Sequence, residues 1–563
     1  MVAKVANLNQ TGKKAIRQID IVKIYSDKKC LIIDDFPEIR GSLSRTMKTF
    51  GCNSVDTAAT GEEAIKQCSN KSFDIVICDY NLGAGKDGQQ VLEEVRYLRV
   101  LLMTSLFVMV TGESSREMVL GALECQPDDY ITKPYTQASL KLRLNKAIIR
   151  HQSLLPIKRF ISSGDYRAAL DLCNEFIDEG GRYATDCLKL KGHLHFLLKQ
   201  LKKAKGVYES VLSKKPLIWA KLGMGKTLME LGNYEGAMQM CREIIDEDER
   251  YIEAHDLLAE IYEQKKESNA AQKALEKATR ISPKSVLRHR RLAQIAEQNR
   301  DDDTALKSYQ HAIKWGNNSC HESPQDYFNY ARKVSDIIRG QDNTEAGALV
   351  KQANSYLDRV RKRYENRSDI TAQAQMVETQ ILASQGNETL AKKSLDKVRE
   401  IYKNMAAPPL ESSLEFARAL HSMNEEDEAR SLLTRLAAKN AANKELLKII
   451  DGITGEPISS DGKQIAARLT KDGISSYDNK VYAEAISVFN EALANYPKHI
   501  GLHLNLIQAI CADREANGHS QKYMEMCRHS LKVIGTLPPA HKQYQRYRFL
   551  SRQISKCYPE LMQ

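Results

Sequence analysis

A short apolar segment that ends in an aspartate constrains the fold of this chain more than any other feature. Residues 75–78 read Ile-Val-Ile-Cys, with Asp74 before them and Asp79 after them. An apolar run of this length, rich in β-branched residues, is typical of a strand buried on both faces of a parallel sheet. Ligands of such sheets gather beyond the carboxyl ends of the strands, so we predict that Asp79 lies at a binding site.

The same pattern recurs through the first 150 residues. Further strands are predicted at 29–33, 55–58, 106–110 and 130–133, with helices starting near Pro37, Thr60 and Gly88 and a fourth helix at 112–125. Thr60 and Glu63 have the spacing of a helix capping box. Five strands that alternate with helices predict an α/β doubly wound parallel five-stranded sheet over residues 28–150. Residues 1–27 are interpreted as an N-terminal tail with one short helix.

Polar side chains collect at the carboxyl ends of these strands. They are Asp34, Asp35, Asp79, Thr111 and Lys133. Three neighbouring carboxylates are stable when a hard divalent cation neutralises them, and Mg²⁺ accepts carboxylates together with waters and phosphate oxygens. A carboxylate can also attack phosphorus as a nucleophile. Lys133 would compensate the new charge, and the Thr111 hydroxyl could donate to a phosphoryl oxygen, so the sequence predicts a phosphoryl-accepting site.

Residues 28–148 resemble the receiver domain of bacterial two-component response regulators. The matching residues are the acidic pair Asp34 and Asp35, Asp79 within Cys-Asp-Tyr-Asn-Leu, Thr111 followed by Gly112, Lys133 followed by Pro134, and the aromatic residue Tyr130. One departure is the loop at 81–88, which lacks the proline usual in the family and is about one residue longer. The resemblance implies the receiver fold and a role in signal transduction.

The resemblance also implies specific roles. A sensor histidine kinase or a phosphotransfer protein would donate a phosphoryl group to Asp79, with Mg²⁺ as the cofactor. Asp34, Asp35, Asp79 and the backbone carbonyl of Asn81 would hold the metal. Thr111 and Tyr130 would move together on phosphorylation, and the Lys133–Pro134 bond would be cis.

Beyond residue 150 the sequence turns helical and repetitive. Small residues recur at Ala169, Ala204, Ala237, Ala271 and Ala305, at intervals of 35, 33, 34 and 34 residues. Twelve residues before the last four stand Gly192, Gly225, Ala259 and Ala293, where two helices would approach closely. This register resembles the tetratricopeptide repeat (TPR), which implies an all-α superhelical solenoid over 151–316 whose groove binds a protein partner.

The register is weaker in the next segment and then returns. Residues 317–450 are interpreted as degenerate helical repeats that include Ala391 and Ala429. Residues 451–462 hold glycines, serines and Pro457, which predicts a linker. A clear repeat with Ala485 then opens a C-terminal repeat region, 463–563, in which a helix at 542–557 caps the array.

Composition limits the remaining possibilities. The 563 residues carry a net charge of +11, and the twelve cysteines lack metal-binding or redox spacing. Without an apolar leader or a run of eighteen apolar residues, we expect a soluble cytoplasmic protein that does not insert into a membrane. The repeat half shows no catalytic constellation, so we expect no enzyme. Basic runs such as residues 199–203 and 288–291 are interpreted as solvated helix faces or, alternatively, as a basic groove.

These features favour a signalling adaptor in which phosphorylation of Asp79 changes what the repeat array binds. One alternative is a nucleic-acid-binding regulator, which the positive charge permits; nucleic acid is disfavoured because no residue pair recurs at fixed repeat positions as a base code requires. The other alternative is a constitutive TPR scaffold with an unswitched receiver. The complete acidic site argues against it.

Overall fold

The computed structural model describes residues 3–8, 14–19, 21–112, 124–339, 344–535 and 537–561. The chain divides into two units, residues 1–326 and 327–563. The first unit holds the sheet and a series of helical hairpins, and the second is helical throughout its described part.

The strands of the first unit form two sheets. Their bounds are Ala3–Leu8 (β1), Lys14–Ile19 (β2), Lys29–Ile33 (β3), Ser54–Ala58 (β4), Ile75–Asp79 (β5), Leu106–Thr111 (β6) and Asp129–Thr132 (β7). The larger sheet is parallel in the order β4-β3-β5-β6-β7. Every residue of β5 and β6 is buried, as expected for central strands covered on both faces. The predicted doubly wound fold is confirmed.

Helices connect the parallel strands, as predicted. Ile21–Ser26 (α1) precedes β3, and the connecting helices that the structure describes in full are Pro37–Thr49 (α2), Gly61–Asn70 (α3) and Gly88–Tyr97 (α4). The Thr60 hydroxyl accepts from the Glu63 amide and caps α3, and Pro37 is the first residue of α2. The helix predicted at 112–125 falls almost wholly outside the described residues. Where we expect an N-terminal tail, β1 and β2 pair antiparallel ahead of the expected short helix.

One long helix joins the sheet to the helical hairpins. Helix α5, Gln137–Ser162, packs Leu140, Leu144 and Ile148 into the core beneath the sheet. Its later residues Leu154 and Ile157 belong to the core of the first hairpin. The predicted domain boundary at residue 150 therefore falls inside a helix, because the periodicity that marks a helix says nothing about which core its face enters.

The end of α5 and the remaining helices of the first unit form a series of helical hairpins. These remaining helices are Tyr166–Asp178 (α6), Ala184–Leu197 (α7), Leu201–Leu212 (α8), Ile218–Glu230 (α9), Tyr234–Glu247 (α10), Ile252–Gln264 (α11), Ser268–Ile281 (α12), Val286–Gln298 (α13) and Asp302–Gly316 (α14). The five register alanines, from Ala169 to Ala305, are completely buried. A Cβ on Gly192 would lie 2.7 Å from the Tyr208 ring, so a larger residue there would displace this buried ring.

A left-handed residue recurs five positions before each register alanine. It is Gly164, Lys199, Gly232, Lys266 or Arg300, with φ between 54° and 79°. The turn between the paired helices requires this conformation, which glycine adopts without strain and other residues adopt at some cost. Only the two glycines have a residue type that is typical of this conformation, and the lysines and the arginine adopt the same backbone shape without such a signal.

Histidines mark a second recurring position. The Nε2 atoms of His255, His289 and His503 lie 2.7–2.8 Å from the backbone oxygens of Glu249, Pro283 and Pro497, each six residues earlier. In each case the imidazole N–H donates to the carbonyl of the loop before its own helix. His255 and His289 are 34 residues apart, so these histidines follow the period of the repeat.

Acid is expected to destabilise the repeats of the first unit through His289. Burial above all, with the nearby His311 and Arg288, lowers the pKa of His289 to about 4. The unfolded chain binds this proton near pH 6.5, so the contribution is complete above that value and is lost as pH falls toward 4. By pH 5 the loss reaches about 2 kcal/mol of unfolding free energy.

The measurement is urea unfolding followed by tryptophan fluorescence between pH 5 and pH 7.5. Both tryptophans, Trp219 and Trp315, lie in these repeats. The control is His289→Gln, whose amide nitrogen can donate to the same carbonyl but does not titrate. We expect a shallower pH dependence in this variant, and equal slopes in the two proteins would contradict the assignment.

The second unit continues the helical pattern. Its helices are Pro324–Ile338 (α15, which begins in the first unit), Thr344–Arg363 (α16), Ser368–Ser384 (α17), Glu388–Asn404 (α18), Leu410–Ser422 (α19), Glu426–Lys439 (α20), Lys444–Thr454 (α21), Ser460–Asp478 (α22), Tyr482–Asn495 (α23), Ile500–Asn517 (α24), Gln521–Ile534 (α25) and Tyr544–Cys557 (α26). Left-handed Gly386, Asn424 and Lys480 again stand five residues before buried Ala391, Ala429 and Ala485. The segment that looks degenerate in sequence thus keeps the turn of the regular repeats.

The linker expected at 451–462 is instead a buried connection between two helices. Helix α21 runs to Thr454 and α22 begins at Ser460. The buried Asp451 carboxylate accepts hydrogen bonds from the amides of Ile458 and Ser459, at 2.9 and 2.7 Å. Glycines and serines serve here as cap and turn residues, a use that composition does not separate from a flexible linker.

Among the helices that the structure describes, none combines the length and the apolar character needed to cross a bilayer.

Candidate functional site

The polar residues at the carboxyl edge of the sheet come together around Asp79. Lys133 Nζ lies 2.9 Å from Asp79 Oδ2 and 3.2 Å from Asp34 Oδ2. The Asp34, Asp35 and Asp79 carboxylates each place an oxygen within 4.8 Å of the others. Buried Thr111 ends the adjacent strand, and its carbonyl accepts from the Lys133 amide at 2.6 Å. The strand order therefore brings the four charged side chains together and places Thr111 at the same edge of the sheet.

Burial and charge shape the protonation of this pocket. Burial raises the pKa of Asp79, the neighbouring Asp34 adds to the increase, and the bond to Lys133 opposes it. Burial works against the charged form of Lys133, but Asp79 and Asp34 hold its pKa above the ordinary value. The site thus contains three carboxylates and one ammonium group, which leaves an excess of negative charge at the strand ends.

The donor set fits a hard divalent cation. Asp35 Oδ1 is buried and has no hydrogen-bond partner. An unpartnered carboxylate oxygen in a pocket with excess negative charge is costly unless a cation binds there. Oxygen ligands from carboxylates and a backbone carbonyl are those that Mg²⁺ prefers. Asp34, Asp35, Asp79 and the carbonyl of Asn81 are the residues that would hold it.

The structure also describes the peptide bond before Pro134, Asn81 and Tyr130. The Lys133–Pro134 peptide bond is cis. Asn81 is exposed and opens the loop at 81–87, and its side-chain oxygen accepts from the Gly83 amide at 3.2 Å. Tyr130 is half-buried on β7 and packs against the core on one face of the sheet. Its movement with Thr111 stays a prediction.

Gly88 begins helix α4 directly beneath the predicted phosphoacceptor. Its amide donates to the Tyr80 carbonyl at 2.8 Å. A Cβ at this position would overlap the carbonyl oxygen of Asp79 and stand 3.0 Å from the Tyr80 Cα. The backbone carrying Asp79 therefore keeps its place only with glycine at this position.

A lysine of the helical repeats contacts the loop that follows Asp79. Lys284 lies between α12 and α13, and its ammonium group lies 2.8 Å from the Tyr80 hydroxyl and 2.9 Å from Asp87 Oδ2. It also lies over two rings, 5.0 Å from the centroid of Tyr80 and 5.7 Å from that of Trp315. Tyr80 and Asp87 flank the loop that carries Asn81, so the repeats touch the immediate surroundings of the site.

Two further contacts lie beside this one. Ser282 Oγ and Arg288 Nη2 donate to the two carboxylate oxygens of Glu124, at 2.9 and 2.8 Å. The side-chain amide nitrogen of Gln90, Nε2, donates to the backbone carbonyl of Asn317 at 3.2 Å. A cleft of about 380 Å³ remains between these contacts, lined by Tyr80, Asp87, Lys284, Trp315 and Asn317 among others.

The basic run at 288–291 is not a solvated helix face, contrary to the sequence interpretation. Arg288 is 8% exposed and forms a two-pronged ion pair with Asp256 as well as its bond to Glu124. Arg290 pairs with Asp326, and Arg291 pairs with Glu263. Three arginines that carboxylates already neutralise do not form a groove for an acidic ligand.

A second group of candidate metal ligands lies at the same junction. Glu93, Cys320 and His321 each place a ligand atom within 4.8 Å of the other two. Glu93 also accepts from the Cys125 thiol at 3.4 Å, and the His321 ring meets the Tyr97 ring edge-on. Burial raises the pKa of Cys320 to about 11, which keeps its thiol protonated near neutral pH. Their separation in sequence hides this group from motif analysis.

Family models match both the region of the parallel sheet and part of the helical repeats. The model described as "Response regulator receiver domain" matches residues 30–145, and one described as "Tetratricopeptide repeat" matches residues 228–295. The chain is 33% identical to chemotaxis protein CheY-3 of Vibrio cholerae over 133 residues, which are 23% of this chain and 96% of that protein.

Two further comparisons cover a similar share of the chain. The alkaline phosphatase synthesis transcriptional regulatory protein PhoP of Bacillus subtilis is 32% identical over 128 residues, 23% of this chain and 51% of that protein. A crystal structure of a receiver domain protein from Methanospirillum hungatei is 28% identical and covers 22% of this chain and 96% of that chain, with a TM-score of 0.21.

The parallel sheet and the residues at its carboxyl edge define a receiver-type signalling domain. The chain belongs to the response regulator receiver family, and it carries a TPR region behind the receiver. This combination is that of a signalling or adaptor protein rather than a catalytic enzyme. A receiver implies a phosphodonor as one partner, and a TPR region implies a protein as another.

Proposed function

We propose that this protein is a phosphorylation-controlled adaptor in which phosphoryl transfer to Asp79 changes the protein interactions of the repeat array. The observation that carries the proposal is the bond from Lys133 to both Asp79 and Asp34. A lysine held between these carboxylates is placed to neutralise a phosphoryl group built on Asp79.

The chemistry follows from the residues in the pocket. An oxygen of Asp79 attacks the phosphorus of a phosphohistidine or of a small acyl phosphate. The new O–P bond forms as the bond to the leaving group breaks, and the leaving group departs with the electron pair. The nitrogen of a phosphohistidine takes up a proton as it leaves, whereas an acyl phosphate releases a carboxylate. Lys133 and the Thr111 hydroxyl then stabilise the phosphoryl oxygens. A bound Mg²⁺ would supply further positive charge to these oxygens.

The phosphodonor in this proposal is a sensor histidine kinase or a phosphotransfer protein, and the downstream partner is a protein that binds the groove of the repeats. Family membership and the TPR match support both partners. The two states of Asp79 need to differ in partner affinity by only a few kcal/mol, an ordinary amount for a switch of this kind.

Acetyl phosphate provides a direct test. The full chain is incubated with acetyl phosphate and Mg²⁺, and its intact mass is measured. We expect a gain of one phosphoryl group, lost when the metal is chelated and absent from Asp79→Ala. Peptide mapping should place the group on residues 75–79.

The matched control is Asp74→Ala, which removes the acid at the other end of the same strand. Asp74 is paired with Lys28 at 2.7 Å, away from the pocket. We expect this variant to accept the phosphoryl group normally. An unmodified wild-type chain, with its fold verified by circular dichroism, would favour the constitutive scaffold.

A further inference from the structure

We propose that the connection between α12 and α13 is a latch on the loop that follows Asp79. The latch consists of Lys284, which contacts the loop, and of Ser282 and Arg288, which contact Glu124 of the same receiver. It holds the receiver in its unphosphorylated form until phosphorylation of Asp79 releases it. This inference rests on the proposed function, since it names how the repeat array senses the state of that site.

The two acceptors of Lys284 place the latch at the loop. Tyr80 directly follows Asp79, and Asp87 ends the loop and caps helix α4 through the Gln90 amide at 2.9 Å. Both accept from one ammonium group, at 2.8 and 2.9 Å. Lys284 thus ties the two ends of the loop together, and a movement that separates the ends must break one of these bonds.

The lysine and the arginine of the latch are largely shielded from solvent. The Lys284 side chain is 14% exposed, and that of Arg288 is 7% exposed. Ion pairs shielded from water to this degree are screened far less than surface pairs, and loss of one partner leaves a desolvated charge. The contact of the latch with the receiver therefore contributes more free energy than a set of weak surface contacts would. We call the arrangement with this contact formed the docked state.

Phosphorylation of Asp79 would act on the same loop that the latch contacts. Lys133 is bonded to the carboxylates of Asp79 and Asp34, and Lys284 is bonded to Tyr80 and Asp87. A phosphoryl group on Asp79 adds close to two negative charges, which attract Lys133 and the Thr111 hydroxyl and repel the carbonyl oxygen of Asn81. Because Asn81 lies inside the tied loop, this rearrangement and the latch compete.

Thermodynamic linkage makes this competition measurable from either side. If docking favours the unphosphorylated form, removal of the latch must raise the affinity of the site for a phosphoryl group by the same factor by which phosphorylation weakens docking. Coupling between sites of this kind is typically about 5- to 150-fold. Trp315 fluorescence can report on this contact, because the Lys284 ammonium group lies over the Trp315 ring. The chain has only one other tryptophan, so its signal can be removed by a single substitution.

The experiment uses the full chain with Trp219→Phe, which leaves Trp315 as its only tryptophan. Beryllium fluoride with Mg²⁺ serves as a stable probe for the phosphoryl group and is titrated while Trp315 emission is recorded. We expect a saturable change in emission. We further expect Lys284→Met to bind the probe at least about fivefold more tightly, as measured by isothermal titration calorimetry.

Two variants complete the design. Lys277→Met removes an exposed lysine from α12 and is expected to leave probe affinity unchanged. Tyr80→Phe removes one acceptor of Lys284 without loss of packing volume, and it is expected to tighten binding by a smaller factor. Tyr80→Phe also provides the test if Lys284→Met folds poorly.

The outcomes separate the two proposals. A wild-type chain that accepts no phosphoryl group from acetyl phosphate refutes the proposed function, and the latch with it. A chain that is phosphorylated normally, but whose probe affinity is unchanged or weakened by Lys284→Met, overturns the latch alone. Tighter binding in both latch variants, with no change in Lys277→Met, supports it.

Discussion

Glu415→Ala is expected to destabilise the second unit by about 3–5 kcal/mol, the typical effect of breaking a buried ion pair. Glu415 is 1% exposed, and its carboxylate accepts from Arg332, from Arg418 at 3.3 Å and from Gln380 at 2.8 Å. Burial opposes its charge, but the two arginines outweigh burial and hold its pKa below the ordinary value. The alanine variant leaves both guanidinium groups without their counter-charge.

The prediction is checked by hydrogen exchange of peptides from α19, Leu410–Ser422, which reports local stability. Glu411→Ala is the matched control, because Glu411 is exposed in the first turn of the same helix and is worth at most about 1 kcal/mol there. Since a depressed carboxyl pKa contributes stability only above the unfolded value near 4.3, the difference between wild type and Glu415→Ala should shrink below that pH. Equal exchange rates in the two variants would show that the cluster carries no special stability.

The receiver was predictable from sequence because each candidate site residue stands at or next to a strand end. The apolar run at 75–78 specifies a central strand, and the parallel order of the strands brings Asp79, Thr111 and Lys133 to one edge. Local sequence and topology therefore agree, and the side chains meet as a consequence. The register alanines were predictable for a similar reason, since each has to fit between two helices.

The latch and the Glu415 cluster were not predictable in this way. Lys284 and Tyr80 are 204 residues apart, and Glu415 and Arg332 are 83 residues apart. Sequence periodicity places a residue on a helix face but does not say what packs against that face. A run such as 288–291 reads the same whether water or carboxylates surround it, and here carboxylates do.

The boundary expected at residue 150 and the linker expected at 451–462 differ from the structure for a related physical reason. Helix α5 enters two cores in succession, so nothing in its composition marks the junction near residue 150. At Asp451 a single buried carboxylate fixes a glycine- and serine-containing segment that otherwise reads as flexible. In both places the packing or hydrogen bonding of the folded chain determines the structure, and the local residue composition does not.

Gly88→Ala is expected to damage both the stability of the receiver and its ability to accept a phosphoryl group. The added methyl group meets backbone atoms of Asp79 and Tyr80, which cannot rotate away as a side chain can. Overpacking of this kind costs about 3 kcal/mol, the upper part of the usual range. The relief available to the chain is to shift Asp79 or to tilt α4, and a displacement near 1 Å at a reacting group can slow its reaction by up to about 100-fold.

Gly41→Ala provides the matched comparison, because Gly41 lies inside α2 and a Cβ there meets no atom within 4 Å. That variant should be more stable by about 0.5–1 kcal/mol, since alanine favours a helix over glycine. Hydrogen exchange of peptides from β5 and β6 measures stability, and the rate of mass gain with acetyl phosphate measures phosphoryl acceptance. If Gly88→Ala accepts the phosphoryl group at the rate of Gly41→Ala, the position of the Asp79 backbone is not what sets reactivity. A slow rate in a variant that still folds would show that α4 positions the nucleophile. Because α4 begins at the end of the loop that Lys284 ties down, the same backbone contact would then connect the latch to the chemistry of Asp79.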